Sequence, residues 1–511
     1  MGRADPFFGY SFLLRTIIFV LVPAFTAWQV IRFRRALHVF QLEGYKRGRF
    51  LEWCRSNRPK ALFLSSQTHK KPLVMTGRAW RILVVAAVLN VMFILGLAAF
   101  AHLNLGGAPW DIVTWAIATI AAFFGAPLLL VLSDLLLVPV QAAINAYYRS
   151  KALARLRAVN PVVIGVTGSF GKTSTKVAIA GLLGGPDEAY ATPGSYNTPM
   201  GVCRAINEGL EDKHRFFVVE MGAYKVGEIA ELCRFVHPTI GVLTAIGPAH
   251  LERFGSMDAI KRGKYEIVES LPADGVAVMN VDDPEVRTLA DSTESVAVVR
   301  YGTEVSGSPD ITATILSVTG EGTSFTLVDN RSGASIAART GLLGQHAMGH
   351  ILAAVAVATS AGKSLEDVVP RIATLQPAEH RLQILKGTGG VTVIDDAFNS
   401  NPDGAAAALE VLAAMPGKRK VVVTPGIIEL GPLQEEANEN FGAGAARVAD
   451  MLVVVARVNR DAIVAGAGRA GGKAEVIVVD SLDEATEKLS TFLTAGDVVL
   501  FENDLPDQYE N

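Results

Sequence analysis

The chain has 511 residues, half of them apolar, and a net charge of −3 that conceals a strong asymmetry. Residues 1–150 carry 16 Lys and Arg against 5 Asp and Glu, whereas the remainder carries 31 against 45; an acidic back portion argues against nucleic acid as its partner. The length predicts about three domains, and three scattered cysteines (Cys54, Cys203, Cys233) exclude a disulfide framework or a cysteine metal cluster and fit a reducing compartment.

Residues 1–158 read as an all-α membrane domain. Residues 82–101 and 112–133 contain no charged residue, and 12–30 contain only Arg15; about 20 such residues span a bilayer as a helix. The loop from Arg32 to Arg81 carries 13 Lys and Arg against Glu43 and Glu52. By the positive-inside rule this loop is cytoplasmic. Three spans then place everything after about Tyr148 in the cytoplasm, on the inner face of a plasma membrane. Residues 141–158 read as a basic, amphipathic exit helix at the membrane surface.

Residues 165–173 follow, Gly-Val-Thr-Gly-Ser-Phe-Gly-Lys-Thr. The apolar run 162–166 predicts a buried strand before them, and 176–183 predicts a helix after them. A Gly-rich turn between strand and helix aims backbone N–H groups at an anion, and the helix N-terminus adds partial positive charge. Lys172 then faces the β/γ-phosphates and the Thr173 hydroxyl a Mg²⁺ ion. Position 166 is Val, so the turn is the shorter Gly168-x-x-Gly171-Lys172-Thr173. The reading is a nucleoside triphosphate site, against ordinary turn glycines.

From Pro161 on, apolar runs at 216–220, 240–245, 276–280, 391–394, 420–424, 451–455, 475–479 and 498–501 alternate with helical stretches, the rhythm of doubly wound α/β sheets. Residues 297–342 are richer in Thr, Ser and Val and predict a β-rich insert. A boundary falls near Gln376-Pro377, giving a central domain at 159–378 and a C-terminal domain at 379–511.

Ligands in open α/β sheets bind at the carboxyl ends of strands. Glu220 ends one strand, placed for Mg²⁺ beside Thr173 or for a salt bridge. His250 follows another; Mg²⁺ prefers oxygen ligands, so by itself it reads as structural. Lys264 lies on a charged helix and by pattern is a solvated lysine. The strand-end pairs Asp282-Asp283 and Asp395-Asp396 could hold a ribose or a magnesium-bound water, or cap the next helix.

Taken in order, Thr167–Thr175, Val219-Glu220-Met221-Gly222, IGPAHLERFG at 246–255, Lys264-Tyr265-Glu266-Ile267, Asn280-Val281-Asp282-Asp283, Gly344-Gln345-His346, DDAFNSNP at 395–402 and Glu429-Leu430-Gly431 resemble the Mur ligase family. The resemblance covers about residues 160–511 and is nearest the branch that adds D-alanyl-D-alanine to UDP-MurNAc-tripeptide. It implies a phosphate-loop central domain and a Rossmann-like C-terminal domain. It also implies an ATP-dependent amide ligase of peptidoglycan synthesis that works through an acyl phosphate.

Carried over by motif, Lys172, Lys264, His250 and Glu220 are catalytic. Gly168, Ser169, Gly171, Lys172, Thr173, Ser174, His346, Arg381 and Asp396 bind ATP. Thr173, Glu220, His250 and Lys264, the last as a carbamate, hold two Mg²⁺ ions, and Asn197, Asn399 and Asn401 face the substrate. The implied partners are a UDP- or lipid-linked muropeptide and an amino acid or dipeptide. Two departures stand out. The family's His-Asn-x-x-Asn near the adenine is here His346-Ala347-Met348-Gly349-His350, without either amide. The family's UDP-gripping N-terminal domain is replaced by the apolar segments, which either meet a lipid-linked substrate or only anchor the enzyme. A ligase for another acceptor, such as a polyglutamate-type product, and a non-catalytic ATP-binding scaffold that recruits other cell-wall enzymes are the alternatives.

Overall fold

The computed structural model describes residues 27–61, 72–105, 110–303, 308–319, 322–398, 400–455 and 457–505. The chain divides into two units, Met1–Ala146 and Tyr147–Asn511. The first is helical where described. Phe33, Leu37, Phe40, Phe50, Ile82, Ala86 and Leu130 form its core. Within it the buried Asp134 is paired with Arg47 at 2.8 Å and Arg78 at 2.9 Å.

The expected spans fare differently. The first, at 12–30, lies mostly outside the described residues. The second falls in the helix Gly77–Leu105. Its stretch Gly77–Leu97, with mean hydropathy 2.2, is the one helix among the described residues long and apolar enough by itself to cross a membrane. The third is broken: Ala116–Phe124 and Ala126–Leu136 meet at 69°. Gly125 and Pro127 explain the break, because Pro lacks the N–H of the helix ladder and its ring clashes with the preceding turn. The exit helix runs Val138–Val159, but its end is no membrane surface. Ala152 and Leu156 are buried in the core of the second unit, and Arg155 donates to the Leu210 carbonyl and to Asp212, both at 2.8 Å.

The second unit holds two sheets. Strands β1 (Val162–Thr167), β2 (Ala189–Ala191), β3 (Phe216–Glu220), β4 (Ile240–Leu243), β5 (Val276–Asn280), β6 (Ala297–Tyr301), β7 (Ile311–Thr319), β8 (Gly322–Asp329) and β9 (Ala334–Thr340) form one sheet in the order β2-β3-β1-β4-β5-β6-β7-β8-β9. It is parallel through β7, and β8 and β9 are antiparallel. β1, β3 and β4 are buried on both faces, which is why they read as continuous apolar runs. The helix Gln345–Ser360 is swallowed by the core: Met348, Ile351 and every residue from Leu352 to Ala358 are fully buried. From β1 the chain crosses to β2, returns through β3 and then passes over β1 to β4 on the other side, so the crevice at the end of β1 is a topological switch point.

The second sheet comprises β10 (Gln383–Lys386), β11 (Thr392–Asp396), β12 (Lys420–Thr424), β13 (Met451–Val455), β14 (Glu475–Val479) and β15 (Val498–Glu502), ordered β10-β11-β15-β12-β13-β14. Only β10 is antiparallel. The last strand in sequence is thus an interior one, and Asp396, Thr424 and Glu502 end three neighbouring strands.

Candidate active site

The phosphate loop is shaped by what surrounds it. Gly168 has φ 154° and Gly171 φ 79°. A Cβ on Gly168 would lie 2.0 Å from Thr244 Oγ1, and one on Gly171 3.0 Å from His350 Cε1. Thr244, just past β4, donates to the Phe170 carbonyl inside the loop. Ser169 Oγ and the Gly247 backbone close a reciprocal pair at 2.9 Å. Gly171 ends the loop at the N-terminus of the helix Lys172–Leu182. Lys172 Nζ donates to the Gly168 and Ser169 carbonyls at 2.8 and 3.0 Å. Burial, and secondarily the nearby Arg381 guanidinium, lowers its pKa to about 8, against the opposing pull of Glu220.

Thr173 and Glu220 meet as the sequence predicts. Thr173 Oγ1 donates to Glu220 Oε2 at 2.9 Å. The same oxygen takes Lys176 Nζ at 3.0 Å, and Oε1 takes Asn197 Nδ2 at 3.0 Å. Burial pushes the Glu220 carboxyl up, but Lys176 and then Lys172 outweigh it and hold it below the usual range. Asn197, expected at the substrate, is hydrogen-bonded to this carboxylate through its amide N–H. Lys176 was missed by sequence reasoning, although its i+4 spacing from Lys172 puts it on the same helix face. Ser174 sits in the first helical turn with no side-chain partner among the described residues.

His250 lies in the left-handed region at φ 58°. Its Nδ1 bonds Glu429, which also accepts from Arg253. The imidazole packs edge-on to Tyr224 at 4.7 Å, and Arg253 lies 4.3 Å over the same ring. Burial lowers the His250 pKa, against the opposing pull of Glu429. Glu429 sits beyond β12, so this three-residue clasp joins the two sheet domains of the second unit; only the order of the motifs could have suggested it. Lys264 is almost fully buried, 5.5 Å over the Phe254 ring. Burial, then Lys172, pushes its pKa well below the usual lysine value.

Arg381 reaches the cleft from the second sheet. It stacks on Phe398 at 4.9 Å and feels Asp396, Glu220 and Glu502. Asp396 bonds the Leu382 N–H at 3.1 Å. Asn401 caps the helix Pro402–Ala414 through the Gly404 N–H, so its side chain is committed to the backbone. Asn399 lies outside the described residues. His346 opens the helix Gln345–Ser360, and His350 on the same helix bonds Thr175 Oγ1 at 3.0 Å. Of the other acidic pair, Asp283 caps the helix Pro284–Ser292 and Asp282 binds the Thr303 N–H. Glu502 was also missed: fully buried between Ser400 and Thr424, it is raised by burial to about 8.

A cation fits beside the loop. Among the described residues no three His, Cys, Asp or Glu side chains group closely enough to cage a metal. Mg²⁺, however, takes one or two protein oxygens and completes its shell with water and phosphate. The Thr173 hydroxyl and Glu220 carboxylate at the mouth of the loop are such a pair.

A phosphate loop at a switch point, a strand-end carboxylate beside it and an arginine from a second α/β domain define a nucleotide site, and the family matches make it that of an ATP-dependent ligase. Residues 166–358 match the Mur ligase middle domain and residues 380–502 the Mur ligase glutamate ligase domain. The chain belongs to the Mur ligase family. It is 34% identical over 373 residues to the UDP-N-acetylmuramoyl-tripeptide–D-alanyl-D-alanine ligase of Mycobacterium tuberculosis, covering 68% of this chain and 71% of that one. The Escherichia coli enzyme of the same name is 33% identical over 283 residues, 55% of this chain and 62% of that one. Among solved structures, MurF from Acinetobacter baumannii superposes with a TM-score of 0.60 at 29% identity, covering 70% and 76% of the two chains. MurF from Thermotoga maritima in complex with ADP superposes at 0.62 and 26% identity, covering 72% and 82%.

Proposed function

We propose that this chain is a membrane-anchored ligase of MurF type, joining D-alanyl-D-alanine or a similar amine to the peptide carboxylate of a muropeptide. The observation that carries the reading is the convergence of Lys172, Thr173 and Glu220 with Arg381, brought from the second α/β domain. A substrate carboxylate attacks the γ-phosphate of ATP and the β–γ bond breaks, leaving ADP. The incoming amine then attacks the acyl phosphate carbonyl and phosphate departs. The protein's part is positioning and charge stabilisation. Lys172 and the loop N–H groups would hold the phosphates, and Thr173 and Glu220 would hold a Mg²⁺ ion, which would supply neutralising charge there. His250 is the residue for a second ion. Lys264 is the residue for a carbamate, which requires a neutral amine, and burial supplies that condition. Arg381 faces the nucleotide.

The anchor lies within 1–158 by composition, of which the first unit takes Met1–Ala146, and the ligase domains follow at 159–378 and 379–511. The helix Gly77–Leu105 and the 13 basic residues between Arg32 and Arg81, two of them in the helix's first turns, support an inner-membrane location with the ligase domains cytoplasmic. The test is ATP-dependent phosphate release by the detergent-purified full chain, with UDP-linked and lipid-linked muropeptides offered with D-alanyl-D-alanine. Release with either class identifies the carrier; none with any muropeptide refutes the reading. Lys264→Ala is expected to abolish turnover while ATP still binds, unrescued by bicarbonate. Full activity of that variant removes the carbamate.

A further inference from the structure

Asp395 and Asp396 end β11, where strand-end acids face ligands, yet both are spent on a short segment of their own domain. Asp395 Oδ2 bonds His380 Nδ1 at 2.7 Å, and its Oδ1 accepts from the Ala397 N–H at 3.2 Å. Asp396 Oδ1 accepts from the Leu382 N–H at 3.1 Å. The residues so held, His380 and Leu382, flank Arg381, and both are left-handed, at φ 57° and 46°. Leu has no polar side chain to compensate that conformation, and such backbone persists only where its surroundings over-determine it. The Arg381 N–H is fixed on the Ala378 carbonyl at 3.1 Å. One carboxylate on each side thus pins a strained turn whose central side chain is the arginine.

The arginine's direction is the other half of the argument. Its side chain is half-buried and rests on Phe398 at 4.9 Å, and its charge is near enough to lower the Lys172 pKa and to be drawn by Glu220. It therefore points from the second sheet to the mouth of the phosphate loop. A guanidinium offers a fixed fork of donors suited to phosphate oxygens, so its aim matters more than its charge alone.

We propose that His380 and Asp395 are positioning residues that aim Arg381 at the nucleotide phosphates. The inference rests on the ATP-site reading above. His380 touches no part of the loop and its side chain is 57% exposed. Its role is to lock the turn through Asp395, so that Arg381 meets the phosphates already oriented.

The experiment measures Mg-ADP affinity of the detergent-purified full chain, without acceptor, by calorimetry. The variants are Arg381→Ala, Asp395→Ala, His380→Gly and the double variant Arg381→Ala/Asp395→Ala, each with its melting temperature. Arg381→Ala is expected to weaken ADP about tenfold or more, the loss of a charge-assisted contact. Asp395→Ala and His380→Gly are expected to weaken it about fivefold. The double variant should bind within about twofold of Arg381→Ala, because residues acting through one group are not additive. Loss in the double variant equal to the product of the single losses overturns the proposal. Should Asp395→Ala fail to fold, His380→Gly decides: glycine accepts the left-handed turn, and unchanged ADP affinity there overturns the proposal as well. If the unmodified chain binds no ADP, the nucleotide reading itself falls.

Discussion

Gly168→Ala is the sharpest test of the loop. The added methyl would stand 2.0 Å from Thr244 Oγ1, 3.0 Å from the Ala245 nitrogen and 3.2 Å from its oxygen. Thr244 cannot simply turn away, because its hydroxyl is held by the Phe170 and Thr167 carbonyls. Backbone strain at φ 154° contributes about 1–3 kcal/mol. Overpacking against a fixed neighbour contributes about another 1–3 kcal/mol. The loop can escape this only by moving off β4, which scatters the N–H groups it aims at phosphate. We expect Mg-ADP affinity to fall at least about a hundredfold, the equivalent of ~2.7 kcal/mol. Calorimetric titration measures this directly. Thr244→Ala on the same background removes the nearest clash but not the strain, so it should recover part of the loss and not all. ADP affinity within twofold of the unmodified protein in Gly168→Ala would refute the reasoning, since the close approach of loop to β4 would then not matter for binding.

Other outcomes follow from single contacts. Lys176→Met leaves Glu220 buried without its nearest cation, and breaking such a pair costs about 3–5 kcal/mol; thermal unfolding should show a clear drop, with a weakened Mg²⁺ dependence of ADP binding. Glu429→Ala opens the clasp on His250 and Arg253, and limited proteolysis should then cut faster between residues 360 and 380. Glu502 is raised from 4.5 to about 8 in the fold. The folded state therefore holds a proton that the unfolded state has lost, and stability falls as pH rises between those values, by up to about 1.4 kcal/mol per unit. Glu502→Gln should flatten that slope in denaturant titrations at pH 5.5 and 7.5.

Much of the fold was legible because parallel strands buried on both faces write themselves as apolar runs. The strands at 216–220, 276–280, 420–424, 451–455 and 475–479 fall at the expected positions. The phosphate loop and the Thr173–Glu220 pair were equally legible, since both obey the rule that strand ends face ligands. What escaped were long-range pairings between side chains with several plausible partners. Asn197 meets the Glu220 carboxylate and Asn401 a helix end, and an amide's two-sided chemistry fits either without announcing which. Glu429 lies 179 residues from His250, and no periodicity connects them. In the first unit, apolar length was visible, but the break at Gly125 needed Pro127 to be weighed against the hydropathy that surrounds it.

The interior place of β15 has a bearing on how the enzyme is made. It pairs with β11 on one side and β12 on the other, so a chain cut before Val498 loses the strand that joins the two parts of its sheet. The central sheet with its phosphate loop can form from what the ribosome has already released. The strand β11, whose two end carboxylates hold the turn that carries Arg381, gets its neighbour on that side only when β15 arrives, and the Asn503 N–H then donates to the Asp396 carbonyl. A prematurely terminated product would keep the phosphate loop and Arg381 but lack the strand that seats β11 beside β12.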